Sequence, residues 1–357
     1  MNNMMNAIVM ESAGIFGMQR VPVPQPGYKE VLVRIRAVSI CGSDPKVFNG
    51  GYQSIGWPPA FPFIPGHEFS GEVAELGEGV TEFAVGDRVA GEAHSGCGTC
   101  ENCKAGDYNL CLNYGKPDTG HRHYGFTWQG AYADYNAYSV KALTKLPENV
   151  SFDEASLNDT AGTSLQAIRL TGIVPGGFSV IIGPGPIGIF VMQIAKSMGS
   201  KTIMVGRRER LELSGRLGAD YLIDYEDCGD IVGRVREITG GAGADQAFEC
   251  AGSDDAMKQS VLCVRKNGHV AFVALPTTDE HPIPVKTAVM NQITLHGSRA
   301  NPHCSQTVLK MLAAGTINAK DMITHTFPLQ QFDLAMKTFV ERIDGAMKVV
   351  VHPNDGE

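Results

Sequence analysis

The sequence predicts a two-domain α/β protein, in which a domain of short, mostly antiparallel strands is followed by a doubly wound parallel sheet. Three observations support this prediction. The hydrophobic pattern changes near Ser156, a glycine-rich turn at Gly183 separates an apolar run from a helix-like stretch, and four cysteines cluster in the first part. A chain of 357 residues has room for two domains of ordinary size. A content of 43% hydrophobic and 19% charged residues is typical of a globular protein.

The first part of the chain is rich in glycine, proline and short runs in which polar and apolar residues alternate. Residues 31–37 and 71–77 show this alternation most clearly. A period of two, bounded by turn residues, is typical of short strands. We therefore expect this part to form a mostly antiparallel β-barrel.

From Ser156 to about Gly297, predicted strands alternate with predicted helices. Helices are expected at residues 187–199 and 210–217. Because strands that alternate with helices pair in parallel through right-handed crossovers, this part predicts a doubly wound sheet. The expected strands are residues 179–182, 202–205, 221–223, 246–249, 269–274 and 293–297.

Four cysteines form a C-x2-C-x2-C-x7-C run; they are Cys97, Cys100, Cys103 and Cys111. Four thiolates can converge on one tetrahedral ion, and zinc suits such soft ligands. Four protein ligands leave no open position, so we expect a structural zinc site. The alternative is two disulfides or four idle thiols. Residues 1–10 show no secretory pattern, and this argues against disulfides.

The charge balance argues against several classes of partner. The formal net charge at pH 7 is -8, whereas a nucleic-acid partner demands a basic surface. No apolar run approaches the roughly 20 residues that cross a bilayer. We therefore expect no nucleic-acid partner, no membrane association and a cytoplasmic location.

The segment Gly183-Pro184-Gly185-Pro186-Ile187-Gly188 has the G-x-G-x-x-G spacing of a dinucleotide-binding turn. The first glycine permits the tight turn, the second lets backbone approach a pyrophosphate, and the third lets the helix pack closely. The N-terminus of that helix offers unpaired N–H groups to the phosphates. A purely structural turn is the alternative, but it would not explain the strands that follow.

The choice between NAD and NADP depends on the end of the second strand of that sheet. An NAD site usually has Asp or Glu there for the ribose 2′-OH. This chain has Gly206 near that position, followed by Arg207 and Arg208. The missing carboxylate removes a repulsion from a 2′-phosphate, and guanidinium groups can bind that phosphate bidentately. The sequence therefore favours NADP, with two merely solvated arginines as the alternative.

Two further motifs precede the cysteine run, Cys41-Gly42-Ser43-Asp44 and Gly66-His67-Glu68. With the four cysteines and the glycine-rich turn, in this order, they resemble the zinc-containing medium-chain dehydrogenases, which include alcohol, polyol and threonine dehydrogenases. The resemblance covers essentially the whole chain. It implies that the last strand of the chain rejoins the first domain. It implies a GroES-like, mostly antiparallel β-barrel catalytic domain of residues 1–157 and 298–357, with a zinc lobe at about 94–115, and a Rossmann domain of residues 158–297.

The resemblance also implies a second, catalytic zinc, so that each subunit binds two zinc ions. The ligands would be Cys41, His67 and Asp159, with Glu154 as the rival third ligand and Glu68 as an alternate or neighbouring one. Three protein ligands leave one position for a water or alcohol oxygen. Zinc lowers the pKa of that oxygen, so that a hydride can pass to the nicotinamide.

Other roles are carried over from the same resemblance. Ser43 matches the residue through which the substrate proton departs, although it could instead cap a turn. Asp44 would orient the zinc ligands. Lys46 stands where many relatives have a relay histidine, which leaves the proton's exit route open. The residues expected to border the cofactor are Thr163, Cys250, Ser298 and Arg299.

Two histidines, His121 and His123, follow the cysteine run. We expect them in a solvated loop, with a contact to the substrate as the alternative.

The sequence therefore predicts a zinc-dependent, NAD(P)-linked oxidoreductase that transfers a hydride between nicotinamide and a secondary alcohol, polyol or amino alcohol. The non-cysteine third ligand and Ser43-Asp44 favour the polyol and threonine branch. One alternative is a zinc-free quinone or enoyl reductase of the same superfamily, but Cys41, His67 and the four cysteines argue against it. Another is a non-catalytic zinc- or nucleotide-binding protein. Family members form homodimers or homotetramers, often through an edge strand near residues 290–297, and we expect one of these assemblies.

Overall fold

The computed structural model describes residues 4–276, 278 and 280–354, which divide into two compact units. The first unit contains the residues up to Asp159, Pro302–Ala313 and the residues from Ala319 onward. The second contains Thr160–Asn301 and Ala314–Asn318. The observed boundaries at Asp159 and Asn301 lie slightly beyond the expected limits at 157 and 297, and Ala314–Asn318 belong to the second unit, not to the first as expected.

The first part of the described chain consists mainly of short strands. Its strands are β1 (Met4–Ser12), β2 (Ile15–Pro22), β3 (Glu30–Ser39), β4 (Glu68–Leu76), β5 (Arg88–Gly91), β6 (His94–Ser95), β7 (Arg122–His123), β8 (Tyr135–Ser139) and β9 (Leu143–Lys145). Its α-helices are α1 (Asp44–Phe48), α2 (Glu101–Ala105), α3 (Phe152–Ser156) and α4 (Asn158–Thr171).

Strands and helices then alternate, as the sequence pattern predicts. These elements are β10 (Phe178–Ile182), α5 (Pro186–Ser197), β11 (Lys201–Gly206), α6 (Arg208–Arg216), β12 (Tyr221–Asp224), α7 (Ile231–Ile238), β13 (Ala244–Glu249), α8 (Asp254–Cys263), β14 (Val264–Phe272), α9 (Val285–Met290) and β15 (Thr294–Gly297). The chain continues with α10 (Ser305–Ala313), β16 (Ile323–Pro328), α11 (Phe332–Glu341) and β17 (Lys348–His352).

The largest sheet of the first unit has the order β16-β17-β3-β4-β5-β9, with β8 also paired to β3. Its pairs are antiparallel except for β16 and β17. The last strand joins β3 through Val350 opposite Ser39, so the chain returns to the first unit as the resemblance implied. Within the core, the rings of Phe69 and Tyr138 stack 4.0 Å apart. A side chain at Gly91 would meet the Phe69 ring at 2.0 Å, which explains the glycine.

The sheet of the second unit has the order β12-β11-β10-β13-β14-β15, and every pair is parallel. This is the Rossmann order, in which ligands bind at the carboxyl ends of the strands where the order reverses. The reversal lies between β10 and β13, whose apolar residues such as Val180, Ile181 and Phe248 are fully buried. The sequence pattern therefore places the dinucleotide turn at the correct edge.

The largest differences between predicted and observed elements lie at two strands. β14 begins at Val264, earlier than the strand that was predicted to start at residue 269. Asn267, with φ of +57°, interrupts its regular backbone and hides the early start from a period-two pattern. At 290–297, only Thr294–Gly297 is a strand, since α9 extends to Met290.

Within the described residues, no helix is both long enough and apolar enough to cross a membrane.

Candidate active site

The four cysteines of the C-x2-C-x2-C-x7-C run meet in space, with their sulfur atoms all within 4.8 Å of one another. The sulfurs of Cys97 and Cys103 are 3.9 Å apart, and those of Cys100 and Cys111 are 4.0 Å apart. Zinc bound tetrahedrally at about 2.3 Å places its sulfur ligands roughly 3.8 Å apart, so this spacing fits one ion. All four are free cysteines, not disulfide partners.

Hydrogen-bond donors surround one of these sulfurs. The hydroxyl and backbone N–H of Thr99, the Asn113 side-chain amide and the backbone N–H of Cys100 each lie 3.4 Å from the Cys97 sulfur. Burial opposes ionisation of Cys97, but these donors lower the pKa of its thiol to about 5. The local fold therefore favours the thiolate of Cys97, which is the form that binds metal, whereas burial raises the pKa of the Cys103 and Cys111 thiols.

Tyr108, from the segment between the third and fourth cysteines, attaches this lobe to the rest of the first unit. Its hydroxyl donates to Glu92 at 2.5 Å and accepts from the backbone N–H of His303 at 2.8 Å. The Ser305 hydroxyl donates to the other Glu92 oxygen at 2.6 Å and accepts from Asn158 at 2.8 Å. Burial raises the pKa of Glu92 to about 7, while the two hydroxyl donors oppose that rise. This hydrogen-bonded chain links the lobe to the start of α4.

A second group of candidate ligands contains Cys41, His67 and Glu68, whose ligand atoms lie within 4.8 Å of one another. Cys41 precedes α1, and Glu68 is the first residue of β4. His67 and Glu68 are only 4% and 1% exposed. Sulfur, imidazole nitrogen and carboxylate oxygen are all zinc ligands, so the donor set fits this metal.

Asp44 lies against this group and contacts two of its members. One carboxylate oxygen accepts the backbone N–H of Cys41 and the hydroxyl of Tyr132, each at 2.8 Å. The other lies 3.5 Å from Nδ1 of His67. Burial alone would lower the pKa of His67, but the Cys41 thiol and the Asp44 carboxylate raise it well above its usual range. A carboxylate beside Nδ1 orients the ring and leaves Nε2 available to a metal.

Glu68 forms a buried ion pair with Lys348 of β17. Both residues are 1% exposed, and the Ser39 hydroxyl donates to the same carboxylate. Burial opposes ionisation of Glu68, but the Lys348 ammonium more than offsets this and lowers its pKa. The structure therefore holds a charged carboxylate beside Cys41 and His67.

Asp159, the predicted third ligand, is not part of this group. Its Oδ1 instead accepts the backbone N–H of Ala93 at 3.3 Å. Glu154, the rival candidate, forms a capping box with Ser151 at the start of α3. The structure thus places Glu68 beside Cys41 and His67, and the assignment of Asp159 as a ligand stays a prediction.

Ser43 occupies the N-cap position of α1, but its side chain makes no capping hydrogen bond. Its Oγ is buried, and no hydrogen-bond partner for it exists among the described residues. Buried hydroxyls are nearly always hydrogen-bonded. An orphaned hydroxyl next to Asp44 therefore fits a group that awaits a ligand oxygen better than one that caps a turn.

Aromatic rings pack on the same group. The Phe126 ring lies 4.6 Å from the His67 ring and 4.3 Å from the His123 ring, and Trp57 packs on Phe126 at 4.8 Å. His121 and His123 are only 2% and 4% exposed, so the expectation of a solvated loop is wrong. No periodic pattern in the sequence indicates this burial, because the ladder between β6 and β7 contains only two residue pairs.

The glycine-rich turn lies between β10 and α5, as a dinucleotide site requires. Gly183 has φ of +109°, and a Cβ there would lie 3.0 Å from backbone atoms of Cys250 and Ala251. A Cβ on Gly188 would lie 2.1 Å from the Gly183 carbonyl oxygen. Gly185, at the N-cap of α5, has open space where a Cβ would be. Gly183 therefore fits a tight turn, Gly188 fits close packing of the helix, and Gly185 leaves the backbone open to a pyrophosphate.

The other predicted cofactor residues also lie in the second unit. Pro186 and Ile187 form the first turn of α5, Thr163 lies in α4, and Ser298 and Arg299 follow β15. The Ser298 Oγ is buried and has no hydrogen-bond partner in the described part of the chain. No contact yet assigns these residues to a cofactor, and their roles stay predictions.

Glu249, at the end of β13, is a residue that the sequence analysis missed. It is fully buried, and its Oε1 accepts the backbone N–H groups of Ala251 at 2.8 Å and Gly252 at 2.6 Å. The carboxylate thereby fixes the turn at Cys250 that packs on Gly183. An acidic residue at the end of a buried apolar strand was the available signal.

β11 ends at Gly206, where a Cβ would lie 2.3 Å from the ring of Pro184. This close approach explains why the position carries no carboxylate side chain. Arg207 and Arg208 follow, and both form ion pairs with Glu226 after β12.

Comparison with known families accounts for most of the chain. Residues 27–148 match the alcohol dehydrogenase GroES-like domain, and residues 186–314 match the zinc-binding dehydrogenases. The chain belongs to the zinc-containing medium-chain dehydrogenases. Family membership confirms the predicted fold class of a GroES-like domain with a Rossmann sheet, and it makes the protein a zinc- and nicotinamide-dependent oxidoreductase.

This dehydrogenase has close relatives along nearly its full length. It is 36% identical to the sorbitol dehydrogenase of Halalkalibacterium halodurans, over 98% of this chain and 100% of that protein. It is 32% identical to the L-threonine 3-dehydrogenase of Bacillus licheniformis, over 88% of this chain and 89% of that protein. A crystal structure from Sinorhizobium meliloti 1021, bound to NADP, has a TM-score of 0.87 and 28% identity, and covers 98% of this chain and 99% of that one.

Removal of one lobe thiol tests the structural assignment of this site. We expect Cys100→Ser to lose one zinc per chain and to melt at a lower temperature, because zinc binding contributes on the order of 10 kcal/mol to folding in small zinc peptides. Zinc analysis and thermal melting measure both effects. Cys228→Ser, which changes a thiol outside both groups, is the control and should behave like the wild type. Unchanged zinc content and melting temperature in Cys100→Ser would refute the assignment.

Removal of the buried ammonium tests the role of the Glu68 ion pair. We expect Lys348→Met to destabilise the protein by about 3–5 kcal/mol, because it leaves the Glu68 carboxylate buried without its partner. Urea unfolding at fixed zinc concentration measures the loss. Lys145→Met, which breaks the exposed Lys145–Asp87 pair, is the matched control and should cost less than about 1 kcal/mol.

A double variant separates this explanation from simple loss of packing. Glu68→Gln combined with Lys348→Met removes both charges and should recover most of the lost stability. If the double variant is as unstable as Lys348→Met alone, the unpaired carboxylate is not the cause.

Proposed function

We propose that this dehydrogenase oxidises a secondary alcohol, polyol or amino alcohol at a zinc held by Cys41 and His67, and that each chain carries a second, structural zinc on its four lobe cysteines. The observation that carries the proposal is the buried group of Cys41, His67 and Glu68, with Asp44 contacting two of its members. A purely structural site would need no orphaned hydroxyl beside it, and Ser43 supplies one.

The names of the relatives support the polyol and amino alcohol class. A sorbitol dehydrogenase and an L-threonine 3-dehydrogenase both align with nearly the whole chain. Sorbitol and threonine each carry a secondary hydroxyl next to a second polar group. We therefore propose a substrate of this kind, in which the neighbouring polar group helps to choose between molecules.

The chemistry divides between the bound groups and the side chains of this chain. Zinc, when bound, lowers the pKa of an alcohol hydroxyl and polarises a carbonyl, while the nicotinamide exchanges the hydride. Asp44 accepts the backbone N–H of Cys41 and places a carboxylate oxygen 3.5 Å from Nδ1 of His67. During oxidation the Ser43 hydroxyl would accept the substrate proton while it passes its own proton onward, and during reduction both transfers would run in reverse. The proton's route beyond Ser43 is open, because Lys46 replaces the histidine found there in many relatives.

A carboxylate completes the proposed ligand set. Glu68 lies within the group, and Lys348 keeps it ionised. Asp159 is the ligand that the family resemblance carries over, and it lies in the first turn of α4 and in the same unit. An oxygen ligand in place of the second cysteine leaves more positive charge on the metal, which favours ionisation of the alcohol.

We propose NADP as the preferred cofactor. Gly206 leaves no carboxylate at the end of β11, and Arg207 and Arg208 follow it directly. The similar structure from Sinorhizobium meliloti holds NADP, which supports the same choice here.

We also propose that the protein assembles as a homodimer or homotetramer in the cytoplasm. β15 is the last strand in the order of the Rossmann sheet, and Val289 and Met290 beside it are each 73% exposed. A strand at the edge of a sheet, next to exposed apolar residues, suits pairing with a second copy. All nine cysteines are free thiols, which suits a reducing compartment.

The catalytic assignment is tested with Cys41→Ala on a panel of polyols, threonine and secondary alcohols. We expect kcat/KM on the best substrate to fall by about 1000-fold or more, because the metal supplies several kcal/mol of transition-state stabilisation. Melting temperature and cofactor binding should stay at the wild-type values. Cys228→Ser is again the control. Full activity in Cys41→Ala, or in chelator-treated protein, would favour the zinc-free reductase instead.

The cofactor assignment is tested by replacing both arginines. We expect Arg207→Ala/Arg208→Ala to raise KM for NADP by about 10- to 100-fold, since charge-assisted hydrogen bonds contribute about 1.5–3 kcal/mol each. KM for NAD should change little, because NAD has no 2′-phosphate. Arg234→Ala, at an exposed arginine of α7, is the control. Wild-type preference for NAD, with the double variant neutral, would rule out the NADP proposal.

A further inference from the structure

We propose that Glu226 is a specificity-determining residue, which occupies the Arg207–Arg208 pair in the free protein and competes there with the 2′-phosphate of NADP. This inference rests on the proposed NADP site and adds a residue that opposes it. It predicts that the natural chain binds the 2′-phosphate less tightly than its two arginines alone would allow.

The sheet register places Glu226 at the arginine pair. β11 and β12 are parallel neighbours in which Gly206 lies opposite Asp224. The backbone N–H of Tyr225 donates to the Gly206 carbonyl at 3.0 Å, and that of Glu226 donates to the Asp224 side chain at 2.9 Å. These bonds fix the turn after β12 next to the end of β11. Ligands of doubly wound sheets bind at this carboxyl edge.

The side chains of Arg207 and Arg208 both contact the carboxylate of Glu226. The Nη1 atom of Arg207 lies 2.5 Å from Oε1 of Glu226. Arg208 contacts both carboxylate oxygens, with Nη2 at 3.3 Å from Oε1 and Nε at 3.4 Å from Oε2. A carboxylate and a phosphate present similar oxygens to a guanidinium, so both bind the same donors. Glu226 therefore stands where a 2′-phosphate would find its partners.

The competition can be overcome because the pairs are exposed. Arg207, Arg208 and Glu226 have side chains 41%, 70% and 38% exposed, and ion pairs in water contribute little to stability. The hydrogen bond from Arg207 lowers the pKa of Glu226, so the carboxylate is charged at neutral pH. A phosphate monoester carries about -1.5 to -2 charges at pH 7 and can displace a single carboxylate. The displaced carboxylate still repels it at short range.

Removal of this charge should tighten binding of the 2′-phosphate. We expect Glu226→Gln to bind 2′,5′-ADP about three- to tenfold more tightly than the wild type, from the lost competition and repulsion in high dielectric. Binding of 5′-AMP, which lacks the 2′-phosphate, should not change. The gain should shrink at about 1 M salt, where the screening length is about 3 Å.

The matched control is Glu237→Gln. Glu237 pairs with Arg234 at 2.5 Å, the same distance as in the Arg207–Glu226 pair, and both side chains are exposed. The control removes the same charge from an arginine–glutamate pair within α7. It should bind 2′,5′-ADP like the wild type, so that a change in net charge alone is excluded.

Isothermal titration of 2′,5′-ADP and 5′-AMP into the wild type, both glutamate variants and Arg207→Ala/Arg208→Ala decides the question. The proposal is supported if Glu226→Gln binds 2′,5′-ADP more tightly than the wild type while Glu237→Gln does not. Equal or weaker 2′,5′-ADP binding overturns it, and means that Glu226 is inert or preorganises the arginines. Weaker binding of 5′-AMP in Glu226→Gln also overturns it, and identifies Glu226 as a partner of the nucleotide that lacks the 2′-phosphate.

The same titrations separate this inference from the NADP proposal. If the double arginine variant loses 2′,5′-ADP affinity while Glu226→Gln does not gain any, only the role of Glu226 fails. If the double arginine variant binds 2′,5′-ADP like the wild type, the NADP site itself fails.

Discussion

The ion pair between Lys348 and Glu68 joins two residues that are 280 positions apart in the sequence. It ties the last strand of the chain to the first residue of β4, and Ser39 of β3 donates to the same carboxylate. Both charges are almost fully buried, so each depends on the other. The same contact that secures β17 in the sheet therefore holds a charged oxygen beside Cys41 and His67.

Charge explains why this group suits a metal cation. If Cys41 ionises, its thiolate joins the Asp44 and Glu68 carboxylates beside His67, and Lys348 pairs with Glu68. A divalent ion would neutralise the remainder, and its field would keep the thiolate ionised. The cysteine lobe differs, because four sulfurs in tetrahedral spacing close the coordination shell. Under the proposed function, the closed set of four sulfurs serves stability and the open, mixed set serves chemistry.

Motifs with fixed spacing made much of this predictable. The four cysteines lie within one short segment and the glycine-rich turn within another, so the sequence predicted that the sulfurs converge and that the turn joins a strand to a helix. Cys41 and His67 were grouped only through the family resemblance. Lys348 could not be found this way, because its partner is brought close only by the completed sheet. The same limit applies to Glu226, whose contact with the arginines depends on the register of β12 against β11. His123 was misjudged because its burial comes from a two-residue ladder too short to show periodicity.

Zinc content tests the central claim most directly, which is that each chain has one closed and one open zinc site. Purified protein, reconstituted with zinc and dialysed, would be analysed for metal before and after brief treatment with a mild chelator. The account predicts two zinc ions per chain, of which one leaves readily, with loss of activity but not of fold. The second should leave only as the protein unfolds. One zinc or none after reconstitution, or full activity after the labile ion has left, would contradict the account.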